Sequence, residues 1–125
     1  MNLVDSSGWL EYFADGPNAG FFASPIRSTK DLIVQTISVA EVFKRVLQQR
    51  NEGAALEATA LMQQGRIVDL DTVTAINAAK LGVRLRLPMA DSLILATAHL
   101  HQATLWTQDS DFEGIPGVKY KRKTK

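Results

Sequence analysis

A three-layer α/β/α sandwich around a short-stranded parallel sheet is the fold class this sequence predicts. Three observations lead there. Short, continuous apolar runs alternate with segments of helical periodicity along the whole chain. The apolar runs lack an in–out alternation, which fits strands covered on both faces. At 125 residues with 46% hydrophobic and 22% charged side chains, the chain has the size and balance of one soluble domain.

The elements follow in order. Leu3-Val4 is a first short strand that ends at Asp5. Ser6 to Phe13, with Trp9, Leu10, Tyr12 and Phe13, is patterned as a short helix and stops at the turn signal Asp15-Gly16-Pro17. Ala19 to Ile26 is a second short helix. Leu32 to Ile37, apolar and β-branched, is predicted as a strand whose exit, Ser38 followed by Glu41, fits a capping box. Val39, Val42, Phe43 and Val46-Leu47 then recur at helical spacing to about Arg50, and Gly53 to Gln64 forms another helix. Ile67 to Leu70 is predicted as a strand. Asp71 caps a helix running to Gly82, and Pro88 opens the next, with Leu93, Ile94, Ala96, Thr97 and Leu100 on its buried sides. Thr104 to Thr107 and Val118 to Tyr120 are the last strands. Residues 1–118 form the predicted domain, and 119–125 a basic tail.

Composition excludes several classes. There is no cysteine, which removes disulfide scaffolds, Cys-bound zinc and thiol catalysis. No apolar run is long enough to span a bilayer and no secretory signal opens the chain, so a cytoplasmic, non-membrane protein is expected. No P-loop motif occurs. Net charge is +1, yet five basic residues, Lys119, Lys121, Arg122, Lys123 and Lys125, crowd the last seven positions. The rest of the chain holds nine basic residues against 13 acidic ones. Such a tail is either a solvated end or an electrostatic arm for a polyanion.

Parallel sheets place working residues at the carboxyl ends of their strands. Asp5 follows the first strand, Asp109 and Asp111 follow Thr104 to Thr107, and Glu41 and Asp91 stand in first turns of helices. Each has an ordinary structural role open to it: a helix cap, an i,i+4 pair with Arg45, a dipole partner or an Asx-turn. Together they can share one edge of the fold. Carboxylates about 5 Å apart repel by roughly 3 kcal/mol at an effective dielectric of ~20, so such a cluster takes up protons or cations. An all-oxygen donor set suits Mg²⁺ or Mn²⁺, and the implied chemistry is metal-assisted hydrolysis of a phosphate ester. His99 and His101, two apart on a helix, point in divergent directions and make poor joint ligands. The aromatic residues near the N-terminus serve core or interface. A phospho-acceptor domain is disfavoured because Asp5 has no acidic neighbour within four residues.

Four blocks then carry a family resemblance: Leu3-Val4-Asp5-Ser6-Ser7, Ile37-Ser38-Val39-Ala40-Glu41-Val42, Pro88 to Ala98 around Ala90-Asp91-Ser92, and Leu105 to Phe112 around Thr107-Gln108-Asp109. In this order the chain resembles PIN-domain ribonucleases, specifically VapC-type toxins of toxin–antitoxin pairs. The resemblance implies that Asp5, Glu41, Asp91 and Asp109 are catalytic and hold the metal, with Asp5 and Asp91 the most direct ligands. It makes Ser7, Thr107 and Asp111 their polar neighbours. It implies a Mg²⁺- or Mn²⁺-dependent endoribonuclease that is neutralised by a cognate antitoxin and forms a homodimer. Arg84, Arg86, Lys44 and Arg45, close in sequence to the acids, are candidate RNA-phosphate contacts. A PIN nuclease of RNA maturation, or an inactive binding module, is the alternative.

Overall fold

The computed structural model describes residues 1–124; of the basic tail, Lys125 lies outside the described residues. Five parallel strands form the central sheet: β1 (Asn2–Val4), β2 (Leu32–Gln35), β3 (Arg66–Val68), β4 (Thr104–Thr107) and β5 (Val118–Tyr120). Their order is β3-β2-β1-β4-β5. The helices are α1 (Ser6–Phe13), α2 (Ala19–Arg27), α3 (Thr36–Gln49), α4 (Glu52–Met62), α5 (Thr72–Leu85) and α6 (Met89–Leu100). The architecture is the predicted three-layer sandwich.

Strand alternation divides the core in two. Val4, Leu32 and Val34 face Trp9, Phe22, Val42, Ala55 and Met62 on the α1–α4 side. Leu3, Ile33 and Leu105 face Ala78, Leu81, Leu95 and Phe112 on the α5–α6 side. Gly8 lets α1 lie close against this sheet: a Cβ there would come within 2.6 Å of Phe22 and Val4. Among the described residues, no helix is long and apolar enough to cross a membrane.

Four local expectations need correction. The strand predicted over Leu32 to Ile37 ends at Gln35, and α3 starts at Thr36. The Ser38–Glu41 capping box does not form: Ser38 is buried inside the helix with its hydroxyl unpartnered, the N-cap is Gln35, and Glu41 stands in the second turn. The strand predicted over Ile67 to Leu70 is Arg66–Val68, because its partner β2 ends at Gln35, the residue paired with Val68. The helix predicted to end at Gly82 continues to Leu85, where Arg86 stops it in a left-handed conformation with φ 56°. Asp71 caps that helix as expected, accepting from the Thr74 amide at 2.8 Å.

The strand order reverses between β1 and β4, since the chain moves one way from β1 to β2 and β3 and the other way to β4 and β5. A crevice outside the carboxyl ends of these two strands is where such sheets bind ligands.

Candidate metal centre

Register positions the site. Leu3 pairs with Ile33 on one side and Leu105 on the other. Two residues further on, Gln35, Asp5 and Thr107 form one row on the α5–α6 side of the sheet. Asp5 is only 4% exposed. It is the N-cap of α1, and its Oδ1 accepts from the Gly8 amide at 3.0 Å and from Ser7 Oγ at 2.7 Å. Thr107 Oγ1 donates to Asp5 Oδ2 at 2.6 Å and accepts from the Asp109 amide at 2.9 Å. Ser7 and Thr107 therefore both orient Asp5, and Thr107 ties it to the loop that bears Asp109.

That loop is an Asx-turn followed by a 3₁₀ turn, Ser110–Phe112: Asp109 Oδ1 accepts from the Asp111 amide at 2.9 Å. Phe112, fully buried, anchors the turn. Asp91, half-buried, lies in the first turn of α6. Carboxylate oxygens of Asp91, Asp109 and Asp111 all lie within 4.8 Å of one another.

The electrostatics follow. Burial pushes the Asp5 carboxyl up to about 6, although its bonds from Thr107, Ser7 and Gly8 pull it down, and Asp109 adds repulsion. Burial also pushes Asp91 up, to about 7, with repulsion from Asp109, Asp111 and Asp5 behind it. Asp91 thus feels the negative charge of Asp109, Asp111 and Asp5 together, and Asp5 that of Asp109. Glu41 is different. Burial raises its carboxyl while the Ser6 side chain opposes the rise, and none of the other acids contributes. Its partner Ser6 follows Asp5 in the chain, and Glu41 is not part of the repelling group.

Fit to a divalent cation can be judged on these donors. Four carboxylates, of which Asp5 is held by two hydroxyls, with no basic side chain among the causes of the Asp5 and Asp91 shifts, form a hard all-oxygen set with excess negative charge. The residues fit Mg²⁺ or Mn²⁺.

The four basic residues named from the sequence are exposed. Arg84 and Arg86 close α5, just before the turn into α6, and Lys44 and Arg45 lie in the third turn of α3. His99 is exposed, and His101 meets Arg66 at 3.3 Å, so neither is part of the pocket. Of two residues to which the sequence assigned no role, Gln108 lies beside Ser7 and Asp109, and Asn18 holds Gln108 from behind. Gln108 is buried between Ser7 and Asn18, and Asn18 Nδ2 donates to Gln108 Oε1 at 3.0 Å. Ninety residues separate this pair, and ordinary amides give no local sign of such a bond.

The PIN domain family model matches residues 3–118. No curated protein matches the chain. A chain of a toxin–antitoxin complex from Klebsiella pneumoniae is 25% identical with a TM-score of 0.81, covering 95% of this chain and 96% of that one. VapC20 of Mycobacterium tuberculosis, a sarcin–ricin-loop-cleaving toxin, is 16% identical with a TM-score of 0.77, covering 93% and 95%. VapBC2 from Rickettsia felis, bound to a DNA fragment from its promoter, is 16% identical with a TM-score of 0.75, covering 97% of each chain. The last two likenesses bear on fold alone.

Proposed function

The chain belongs to the PIN domain family, and on that premise we propose that it is a Mg²⁺- or Mn²⁺-dependent endoribonuclease, the toxin of a toxin–antitoxin pair. The observation that carries this is the pocket at the reversal of strand order, where Asp91, Asp109 and Asp111 converge beside the buried Asp5.

Asp5, Asp91 and Asp109 would hold the cation, with Asp111 at the rim. A bound divalent ion supplies a lowered water pKa and offsets charge on a phosphoryl oxygen. The chain's own residues do the rest. Ser7, Gly8 and Thr107 fix both oxygens of Asp5 before any ligand arrives, so little ordering remains to be done on binding. The Asp111 amide likewise fixes Asp109. Glu41, outside the repelling group but half-buried, would accept a hydrogen bond from the attacking water and orient it for in-line displacement. The products expected are a 5′-phosphate and a 3′-hydroxyl. Arg84 and Arg86, ahead of the turn that carries Asp91, would contact RNA phosphates, with Lys44 and Arg45 further out.

A cognate antitoxin is supported by the toxin–antitoxin complex among the similar structures. A homodimer is supported by Val73, Ile76, Val83, Leu85 and Met89, all exposed on α5 and the start of α6. A cytoplasmic location accords with both. The test is expression of the chain beside Asp5→Asn and Asp91→Asn, with growth and RNA ends scored and metal uptake followed by calorimetry. Metal-dependent RNA cleavage that both substitutions abolish is expected. Cleavage indifferent to either, or no uptake of magnesium or manganese, overturns the assignment.

A further inference from the structure

A basic C-terminal segment read from sequence is either a frayed end or a working arm, and the fold opposes fraying. β5 runs parallel to β4 at the edge of the sheet, so the chain leaves it at the carboxyl edge, where Asp5 and Asp109 lie. The ladder continues beyond the strand: the Lys121 amide donates to the Thr107 carbonyl at 3.0 Å. One residue later, Asn18 Nδ2 donates to the Arg122 carbonyl, also at 3.0 Å. The same Nδ2 reaches Gln108, the residue before Asp109.

Asn18 is the unusual member. It occupies the N-cap of α2, where an asparagine ordinarily accepts from the helix's first amides, yet its side chain makes no capping bond. It is 2% exposed, and its amide is committed instead to the tail backbone and to Gln108. An N-cap residue diverted in this way is a clamp on the segment that follows β5.

The clamp sets charge beside the pocket. Ser7, Gln108, Asp109, Arg122 and Lys123 line an open cleft of about 450 Å³. Its lining thus includes one carboxylate and two cations. Lys119 and Lys121 are occupied elsewhere, their ammonium groups 4.5 Å and 5.8 Å from the ring centroids of Trp106 and Phe21. An acidic pocket repels a polyanion, so a cation pair fixed at its rim answers a need that the ion alone does not meet at neighbouring phosphates. Arginine's planar fork suits phosphate oxygens in particular.

We propose that Asn18 and Gln108 clamp the C-terminal segment so that Arg122 and Lys123 form a phosphate-binding wall of the cleft, holding an RNA backbone phosphate next to the one at the carboxylates. The proposal rests on the ribonuclease function for the identity of its ligand. It is tested in the full chain with Arg122→Gln/Lys123→Gln, both exposed positions, against Arg27→Gln/Lys30→Gln at the opposite edge of the sheet. Binding of a short labelled single-stranded RNA is measured across salt concentrations on an Asp5→Asn background, and cleavage on the otherwise unaltered chain. The tail pair is expected to reduce the slope of log affinity against log salt by about 0.7 for each phosphate it no longer neutralises. It should raise KM roughly tenfold with kcat little changed, the pattern of weakened ground-state binding. Asn18→Ala, with both cations intact, should speed trypsin cleavage after Lys121 and Arg122 and raise KM in the same direction. A tail pair that matches the opposite-edge pair in slope and KM overturns the proposal, as does absence of RNA binding by the parent chain. A reduced slope in a chain that cleaves no RNA under any divalent metal refutes the nuclease and leaves the phosphate wall standing.

Discussion

Asp5 follows β1 and Gln35 ends β2, side by side at the carboxyl edge of the sheet, and both are buried. Gln35 is neutral and satisfied: its Nε2 donates to Thr97 Oγ1 at 2.8 Å and its Oε1 accepts from Thr36 Oγ1 at 2.9 Å. Thr97 in turn donates to the Leu93 carbonyl, so the cluster closes on α6 without leaving a charge. Asp5 accepts three bonds to the two that Gln35 makes, yet its carboxyl is pushed up to about 6 because it is a buried anion, with Asp109 adding repulsion. Equal burial and similar hydrogen bonding therefore have opposite meanings. One cluster joins β2 to α6. The other stores a cost that only a proton or a cation relieves.

The largest effect expected from this contrast is catalytic. Asp5→Asn and Asp91→Asn should each lower RNA cleavage about a thousandfold or more, since a bound ion contributes several kcal/mol of charge stabilisation in the transition state. Circular dichroism should show the fold intact, because neither change leaves an uncompensated charge. Gln35→Leu should do the reverse, with cleavage per folded molecule close to that of the parent chain. A Gln35→Leu variant as inactive as Asp5→Asn would erase the distinction between the clusters.

Next comes the pH dependence of the metal-free fold. Asp5 titrates at 3.8 ordinarily and at about 6 here, so between those values the native state binds more protons than the unfolded one. Stability therefore falls as pH rises from about 4 to about 6, by roughly 3 kcal/mol at ~1.4 kcal/mol per pKa unit. Asp91, raised to about 7 but half-buried, extends the fall to higher pH with a smaller contribution. Denaturant titrations in EDTA should show this decline. Asp5→Asn should flatten it, and magnesium or manganese at about 100 times its Kd should add back ~2.7 kcal/mol. The stability of Gln35→Leu should keep the parent's pH slope.

A smaller effect belongs to the neutral cluster itself. Gln35→Leu strips Thr97 and Thr36 of an amide partner at the buried junction of β2 and α6, although each retains a carbonyl acceptor, Leu93 for Thr97 and Val68 for Thr36. A loss of about 1–3 kcal/mol is expected from urea unfolding. No measurable loss would mean that the amide is not what joins β2 to α6.

The contrast also explains what sequence could and could not reveal. Asp5, Asp91 and Asp109 stand at element ends, and both their local roles and their shared edge follow from strand–helix alternation. Asp111 enters the cluster through the Asx-turn at Asp109, which the sequence also shows. The sequence pattern overruns the end of β2 because Thr36 and Ile37 are β-branched and continue the apolar run. What stops the strand there is tertiary, with Gln35 bonded to α6 and Thr36 bonded toward β3. Ser38 and Glu41 have capping-box spacing, but spacing cannot show that the helix has already begun. Gln35, Gln108 and Asn18 were silent for one reason: each acts through a bond to a residue at least 62 positions away.

Thr107 gives the finest test, because it separates holding Asp5 in place from charging it. Its hydroxyl donates to Asp5 and accepts from the Asp109 amide. Thr107→Val keeps the shape and removes both bonds. A donor to the ionised carboxylate lowers its pKa, so losing that donor moves Asp5 further above 6. Below that pKa Asp5 carries a proton and competes with the cation. The acid limb of the pH–rate profile should therefore shift to higher pH in Thr107→Val, with activity above the limb within about tenfold of the parent. Thr107→Ser restores the hydroxyl and should return the limb. A limb unmoved by the valine would show that Asp5 is not the group whose ionisation sets it, and would transfer that role to Asp91.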